Sequence, residues 1–283
     1  MRIIELGTGR TPVIVESMRL DLVSDLHLEF DVKNLILTPN ADTLVMAGDI
    51  MGVDSLSTEK SLPFSIWLTQ MAGLYKNVVW VFGNHEHYGS IITESKKELQ
   101  LFLDAHKLNN IHLLENETIE IEDAIIFGAT MWTSIDNQHP VKMFSIEKAM
   151  NDYSYIKRHR VSSSGALKRE KLRTIDTVNI HKESLKHFRE FAKLKTDKKK
   201  IVVSHHAPSF MSICGEFVGH YLNDAYAEDL YSEYFNSGVV LSVHGHIHDP
   251  VDYMLGKTLV RSNPRGYYGR SAPSGYDVLT LEV

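Results

Sequence analysis

The stretch 78-VVWVFGNHEHYGS-90 changes character at its midpoint. Val78 to Phe82 form an uninterrupted apolar run, the pattern of a strand buried on both faces. Gly83 breaks the run, and Asn84, His85, Glu86 and His87 follow without a spacer. An amide and two imidazoles placed directly behind a core strand sit on a rigid post. The arrangement recurs. The strand expected at 19–24 runs into Asp25-Leu26-His27, and the one at 43–47 into Gly48-Asp49. The strand at 200–203 leads to Ser204-His205-His206-Ala207-Pro208, and the one at 239–243 to His244-Gly245-His246-Ile247-His248-Asp249. Sites in α/β sheets form beyond the carboxyl ends of strands. Five apolar strands that each end in a carboxylate, amide or imidazole therefore point to one shared site.

Working outward, further strands are expected at 124–130, 258–262 and 277–283, and helices at about 59–75, 90–107, 178–194 and 224–236. In the helix at 178–194, Val178, Leu185, Phe188 and Leu194 read as one buried face. Long segments separate the first three strong strands, which favours crossover connections and a parallel sheet. Later strands lie closer together and are expected to pair antiparallel. Residues 134–199 read as a helical, basic insertion within one domain covering 1–283.

The chain has 283 residues, 43% hydrophobic and 23% charged, an ordinary globular balance. No apolar run is long enough to cross a bilayer. Glu5 and Arg10 interrupt the stretch where a signal peptide would need an apolar core, so a cytoplasmic location is expected. The single cysteine, Cys214, excludes an intramolecular disulfide and a cysteine-based zinc cluster. Net charge is −6, unevenly spread. Residues 157–200 hold 15 Lys or Arg against 5 Asp or Glu, a net of +10; the rest holds 15 against 31, a net of −16. The basic segment is either a solvated helical surface or a lip that attracts phosphorylated molecules.

Spacing sharpens the reading. Asp25 and His27 stand two residues apart, as do His246 and His248. In extended chain such pairs point to one side, so each pair can aim at one site. Nitrogen and oxygen donors without sulfur suit manganese, iron or zinc better than a thiolate centre. Taken in order, DLH at 25–27, GD at 48–49, GNHE at 83–86, SHHAP at 204–208 and GHIH at 245–248 resemble the blocks of the calcineurin-like metallophosphoesterase superfamily.

That resemblance implies a four-layer α-β-β-α sandwich of two mixed sheets flanked by helices. It implies two divalent ions (manganese favoured; iron, zinc or nickel as alternatives). Asp25, His27 and His248 would hold one and Asn84, His205 and His246 the other, with Asp49 bridging both. His85 would assist the leaving group, and Glu86 would either orient it or fix the turn. Two such ions outweigh the two aspartates, which leaves a positive site fit for phosphate. Metal-activated water would then hydrolyse a phosphate monoester or diester. Arg158, Arg160, Arg265 and His206 are candidate substrate contacts, and Asn151, Asp152 and Tyr153 lie in the insertion within reach. His112, His139, His181, His187 and His220 have no ligand-like neighbours and read as structural or exposed. A small phosphorylated molecule or nucleotide is the expected substrate, with no membrane partner. Two rivals remain: a nuclease, and an inactive protein-binding scaffold of the same fold.

Overall fold

The computed structural model describes residues 17–32 and 35–283 in full, and the backbone of two short paired strands, Arg2–Ile3 and Ile14–Val15. Glu5 and Arg10, on which the signal-peptide reading turned, lie outside the described residues.

Two sheets form the centre. Across the first run Leu279–Glu282, Arg19–Val23, Thr43–Ala47, Asn77–Val81 and Ile111–Leu114. The last four pair in parallel, and Leu279–Glu282 closes the edge antiparallel to Arg19–Val23. Across the second run Asp252–Leu255, Thr258–Ser262, Val239–His244, Lys199–Ser204, Ala124–Ala129 and Glu117–Ile121.

Strand alternation explains the layering. Leu44, Met46, Val78 and Trp80 face outward and pack with Phe64, Leu68, Leu99 and Leu103 of the helices Ser61–Leu74 and Ser95–Ala105. Their neighbours Val45, Ala47, Val79 and Val81 face inward and meet Ile126, Ile201, Val203 and Leu241 of the second sheet. Phe127 and Val202 on that sheet's other face pack on Phe188 and Phe191 of the helix Thr174–Ala192. These three apolar interfaces make four layers, helix–sheet–sheet–helix. The continuous apolar strands need two packed faces, and this arrangement supplies them.

Some expectations change. The strands at 199–204, 239–244 and 258–262 pair in parallel, not antiparallel. The antiparallel partners are Glu117–Ile121 and Asp252–Leu255, short edge strands with largely exposed residues that give a weak strand signal. The region 224–236 holds only a short turn, Asn223–Ala225, and the four-residue helix Tyr231–Tyr234. Within 134–199, helices flank an antiparallel hairpin, Lys157–Val161 with Leu167–Lys171. Its strands, KRHRV and LKREK, carry the charge of a solvated surface and almost no apolar alternation.

Candidate metal centre

The five polar strand ends meet along one edge of the two sheets. The loop after Arg19–Val23 is tied to the loop after Thr43–Ala47 by backbone hydrogen bonds. Asp25 N donates to Gly48 O and His27 N to Asp49 O, at 2.9 and 3.0 Å. The second sheet joins through His246 N, which donates to Asp25 Oδ1 at 3.0 Å. Glu86 fastens the third turn. Its carboxylate accepts hydrogen bonds from the backbone N–H groups of Gly83, Asp49 and Ile50, and from Trp80 Nε1. Of its two expected roles, Glu86 therefore takes the turn-fixing one, and it makes no bond to His85. Burial, with Asp49 nearby, raises its pKa to about 7.

The backbone is strained where the side chains must converge. Asp25, His27, Asp49 and His246 have φ of 52°, 48°, 55° and 67°. This left-handed conformation costs on the order of 1 kcal/mol per non-glycine residue. Asp25 and His27 thus share a side through consecutive sharp turns, not through extended alternation. The same turns send His246 and His248 into different groups, against the expectation from their spacing. Gly83 is required by close approach: a Cβ there would collide with Asp49 Oδ1 and lie 2.6 Å from Asp49 N.

Two groups of donor atoms result, each within 4.8 Å internally: Asp25, His27 and His248, and Asp49, His205 and His246. His27 Nε2 and His248 Nε2 face each other at 3.2 Å, and His248 Nε2 lies 3.4 Å from Asp25 Oδ1. In the second group, His205 Nδ1 is engaged by Ala47 O at 2.9 Å, which leaves Nε2 directed at Asp49 Oδ1, 3.3 Å away, and Asn84 Oδ1, 3.1 Å away. The Asn84 amide is held from behind, because its Nδ2 donates to Asp152 Oδ1 at 2.8 Å. Asp152 is the buried carboxylate at the insertion's approach to the site, and Tyr88 Oη also donates to it. A third set, His27, Glu29 and His85, lies beside the first.

These residues fit divalent cations. Asp25 and Asp49 are fully buried, which is costly for carboxylates without positive charge nearby. Burial opposes their ionisation, yet His248 beside Asp25 and His205 beside Asp49 hold both below the usual carboxylate range. Burial likewise opposes protonation of His205, but Asp49 outweighs it and raises that imidazole to about 10. The cluster draws protons to the places where a cation would sit. His246 Nε2 is buried with no hydrogen-bond partner among the described residues, as expected of a nitrogen kept for a metal.

His85 stands apart from both groups. Its backbone N donates to Asp49 Oδ1 at 2.8 Å, and its Nδ1 lies 2.8 Å from Glu29 Oε1. Its Nε2 lies 3.3 Å from Tyr267 Oη. Burial lowers the His85 pKa, but Asp49 and then Glu29 overcome this and raise it to about 9. Glu29 and Tyr267 are site residues absent from the sequence reading. Glu29 was within reach, two positions after His27 in DLHLE. Tyr267 had no spacing signal; it arrives from the turn after Thr258–Ser262 and stacks on His27 with ring centroids 4.3 Å apart.

The candidate phosphate contacts are placed otherwise. Arg158 pairs with Asp176 of the helix Thr174–Ala192 at 2.6 Å and Arg160 with Glu170 of the hairpin at 3.3 Å, so nearby carboxylates take up their charge. Arg265 is buried and holds the loop 26–31, with hydrogen bonds to Leu26 O and Asp31 O and an ion pair to Asp31. His206 is buried against Trp132 and directs Nδ1 at Thr130 O. Burial drives its pKa down to about 3. His181 is buried beside the carbonyls of Met131 and Trp132, and His220 is exposed, at the cavity next to the site.

The family model for calcineurin-like phosphoesterases matches residues 18–250. The chain belongs to that family and is a metal-dependent hydrolase of phosphoric esters. It is 27% identical over 272 residues to an uncharacterised protein of Acanthamoeba polyphaga mimivirus, covering 88% of this chain and 91% of the other. Its fold is similar to the phosphopantetheinyl hydrolase of Mycobacterium tuberculosis, with a TM-score of 0.65 and 14% identity, covering 94% of this chain and 96% of that one. No helix among the described residues is long and apolar enough to cross a membrane.

Proposed function

We propose that the protein hydrolyses a phosphate monoester or diester at a pair of divalent transition-metal ions, with manganese favoured. Asp25, His27 and His248 would hold one ion, and Asn84, His205 and His246 the other. Asp49 would serve both. One observation carries this reading: the two Asp49 oxygens face different groups, Oδ1 lying 3.3 Å from His205 Nε2 and Oδ2 lying 3.9 Å from His27 Nε2. Bound there, divalent ions polarise the phosphoryl oxygens and lower the pKa of the attacking water.

The chain's own residues supply the rest. His85 Nε2 carries the proton that the departing alkoxide needs. Glu29 holds the ring through Nδ1 and fixes which nitrogen faces the substrate. Cations on Asp49 would cancel its pull on His85, leaving Glu29 as the carboxylate that keeps the imidazole protonated. Asp152 turns the Asn84 amide so that its oxygen faces the site. The substrate is a small phosphorylated molecule or nucleotide. The structural neighbour named for phosphopantetheinyl hydrolysis fits that size class. The paired charges of Arg158 and Arg160 weigh against a nuclease, and the full set of donors weighs against a scaffold.

The test is metal analysis together with hydrolysis of p-nitrophenyl phosphate and bis(p-nitrophenyl) phosphate by the manganese-loaded protein. Two ions per chain and turnover of either ester are expected. Metal uptake without turnover would favour the scaffold, and no metal uptake would end the reading.

A further inference from the structure

Two cavities meet at His85, and four residues line both: His85, Tyr88, Asn151 and Tyr267. The first, of about 440 Å³, reaches the metal centre at Asp49, Asn84, His246 and His248. Its lining also includes Met150, Ile213, Cys214, Phe217 and Leu222, and no lysine or arginine is part of it. The second, of about 760 Å³, contains Glu29 and Asp54 together with Lys60, Arg270, Tyr155 and Tyr268. No carboxylate of the described residues lies within ion-pairing distance of Lys60 or Arg270.

Both cavities are lined by aromatic residues that stay half exposed or more among the described residues. Phe217 is 50% exposed at the first cavity, and Phe30 and Tyr268 are 63% and 54% exposed at the second. A small soluble ligand with flat or apolar parts would bury these faces. A monoester has one organic arm and would leave one lobe empty. A diester has two.

We propose, resting on the phosphoesterase reading above, that the natural substrate is a phosphodiester that spans both cavities. One arm is uncharged and apolar or aromatic and lies in the first cavity. The other is polar and lies in the second, beside Lys60 and Arg270. The scissile phosphate sits at the junction, against the metal centre and His85. Water adds its oxygen to phosphorus and releases a proton to solvent. The P–O bond to the arm facing His85 breaks, and that arm leaves as an alcohol with the proton from His85 Nε2. The other arm remains as a monoester, and His85 regains a proton from solvent. A continuing nucleic-acid strand fits poorly, because its next phosphates would meet no cationic side chain in the first cavity.

The experiment compares kcat/KM of the manganese-loaded protein on bis(p-nitrophenyl) phosphate and p-nitrophenyl phosphate, with labelled single-stranded DNA as a third arm. The diester is expected to be preferred by at least about tenfold. Phe217→Ala and Tyr268→Ala, both at half-exposed positions, should each lower diester kcat/KM by about 5–10-fold through KM, the size of a lost aromatic contact. The double variant should show the product of the two losses, because the arms bind separately. Metal content and circular dichroism of each variant confirm that the site is intact. Preference for the monoester, indifference of the diester to either substitution, or fast DNA cleavage with slow diester turnover would overturn the proposal while leaving a phosphoesterase. No turnover of any ester would instead remove the underlying reading.

Discussion

From the first sheet come Asp25, His27, Asp49, Asn84 and His85, with Glu29 and Glu86 close behind. From the second come only imidazoles: His205, His246 and His248. The halves therefore do different work. The first carries the carboxylates among the proposed ligands and the proposed proton donor, and its loops are locked to one another through Asp25, His27 and Glu86. The second offers imidazole donors, which would be neutral with a metal bound, and two of them are held by contacts that fix the ring or the backbone. His205 is oriented by Ala47 O, and His246 donates its backbone N–H to Asp25 at 3.0 Å. Charge on one side and neutral nitrogens on the other would leave the two proposed divalent ions undercompensated. A phosphate group can then supply the remaining negative charge.

If this division is real, substitutions in the two halves should fail differently. Asp49→Ala removes the carboxylate whose oxygens face both groups, so both ions should be lost and activity should fall to background. His246→Ala removes a donor from one group only, so about one ion per chain should remain. Inductively coupled plasma mass spectrometry reads the difference directly. Equal metal loss in the two variants would show that the halves are not distinct.

The strand ends that set this comparison were legible because each apolar run stops abruptly at a polar residue, and short runs between turns leave little freedom for where the side chains go. Less legible was anything that depends on orientation. Glu29 stood in plain view, but nothing in its spacing said that it would reach His85. Arg158, Arg160 and Arg265 looked like phosphate contacts because composition reports charge and not its partner. Each instead meets a carboxylate brought from elsewhere in the chain. The hairpin at 157–171 was invisible because both faces are solvated, so no period of two marks it. The left-handed turns at Asp25, His27, Asp49 and His246 reversed the argument from extended spacing, since strain of this kind is imposed by the surrounding fold.

The proposed role of His85 as proton donor is tested within the first half. His85→Ala should keep both ions and lower turnover by about 10²–10⁴-fold. Glu29→Gln should do less, about 10–10²-fold, because the ring remains but its orientation and proton affinity weaken. The loss should appear in kcat and be larger for alkyl phosphates than for p-nitrophenyl phosphate, whose leaving group needs little protonation. A purely structural Glu29 would lower both substrates equally. His85→Ala and the double variant should then coincide, since Glu29 acts through His85.

The smallest effect should come from Asp152, which belongs to neither half. It sits on the insertion, buried, with its carboxylate 2.8 Å from Asn84 Nδ2 and 2.7 Å from Tyr88 Oη. Burial pushes its pKa up, against the pull of those two hydrogen bonds. Its proposed task is to stop the Asn84 amide from flipping, which would present NH₂ in place of oxygen to a cation. Asp152→Ala should therefore weaken the affinity of one ion by about tenfold, within the range for partners that orient a ligand. The other ion should be unaffected. Manganese titration followed by activity would show a right-shifted curve that reaches nearly the parental plateau. Asp152→Asn should recover part of the affinity only where its side-chain oxygen faces Asn84, because its NH₂ cannot accept that hydrogen bond. A lowered plateau at saturating manganese would place Asp152 in contact with the substrate instead of behind the metal.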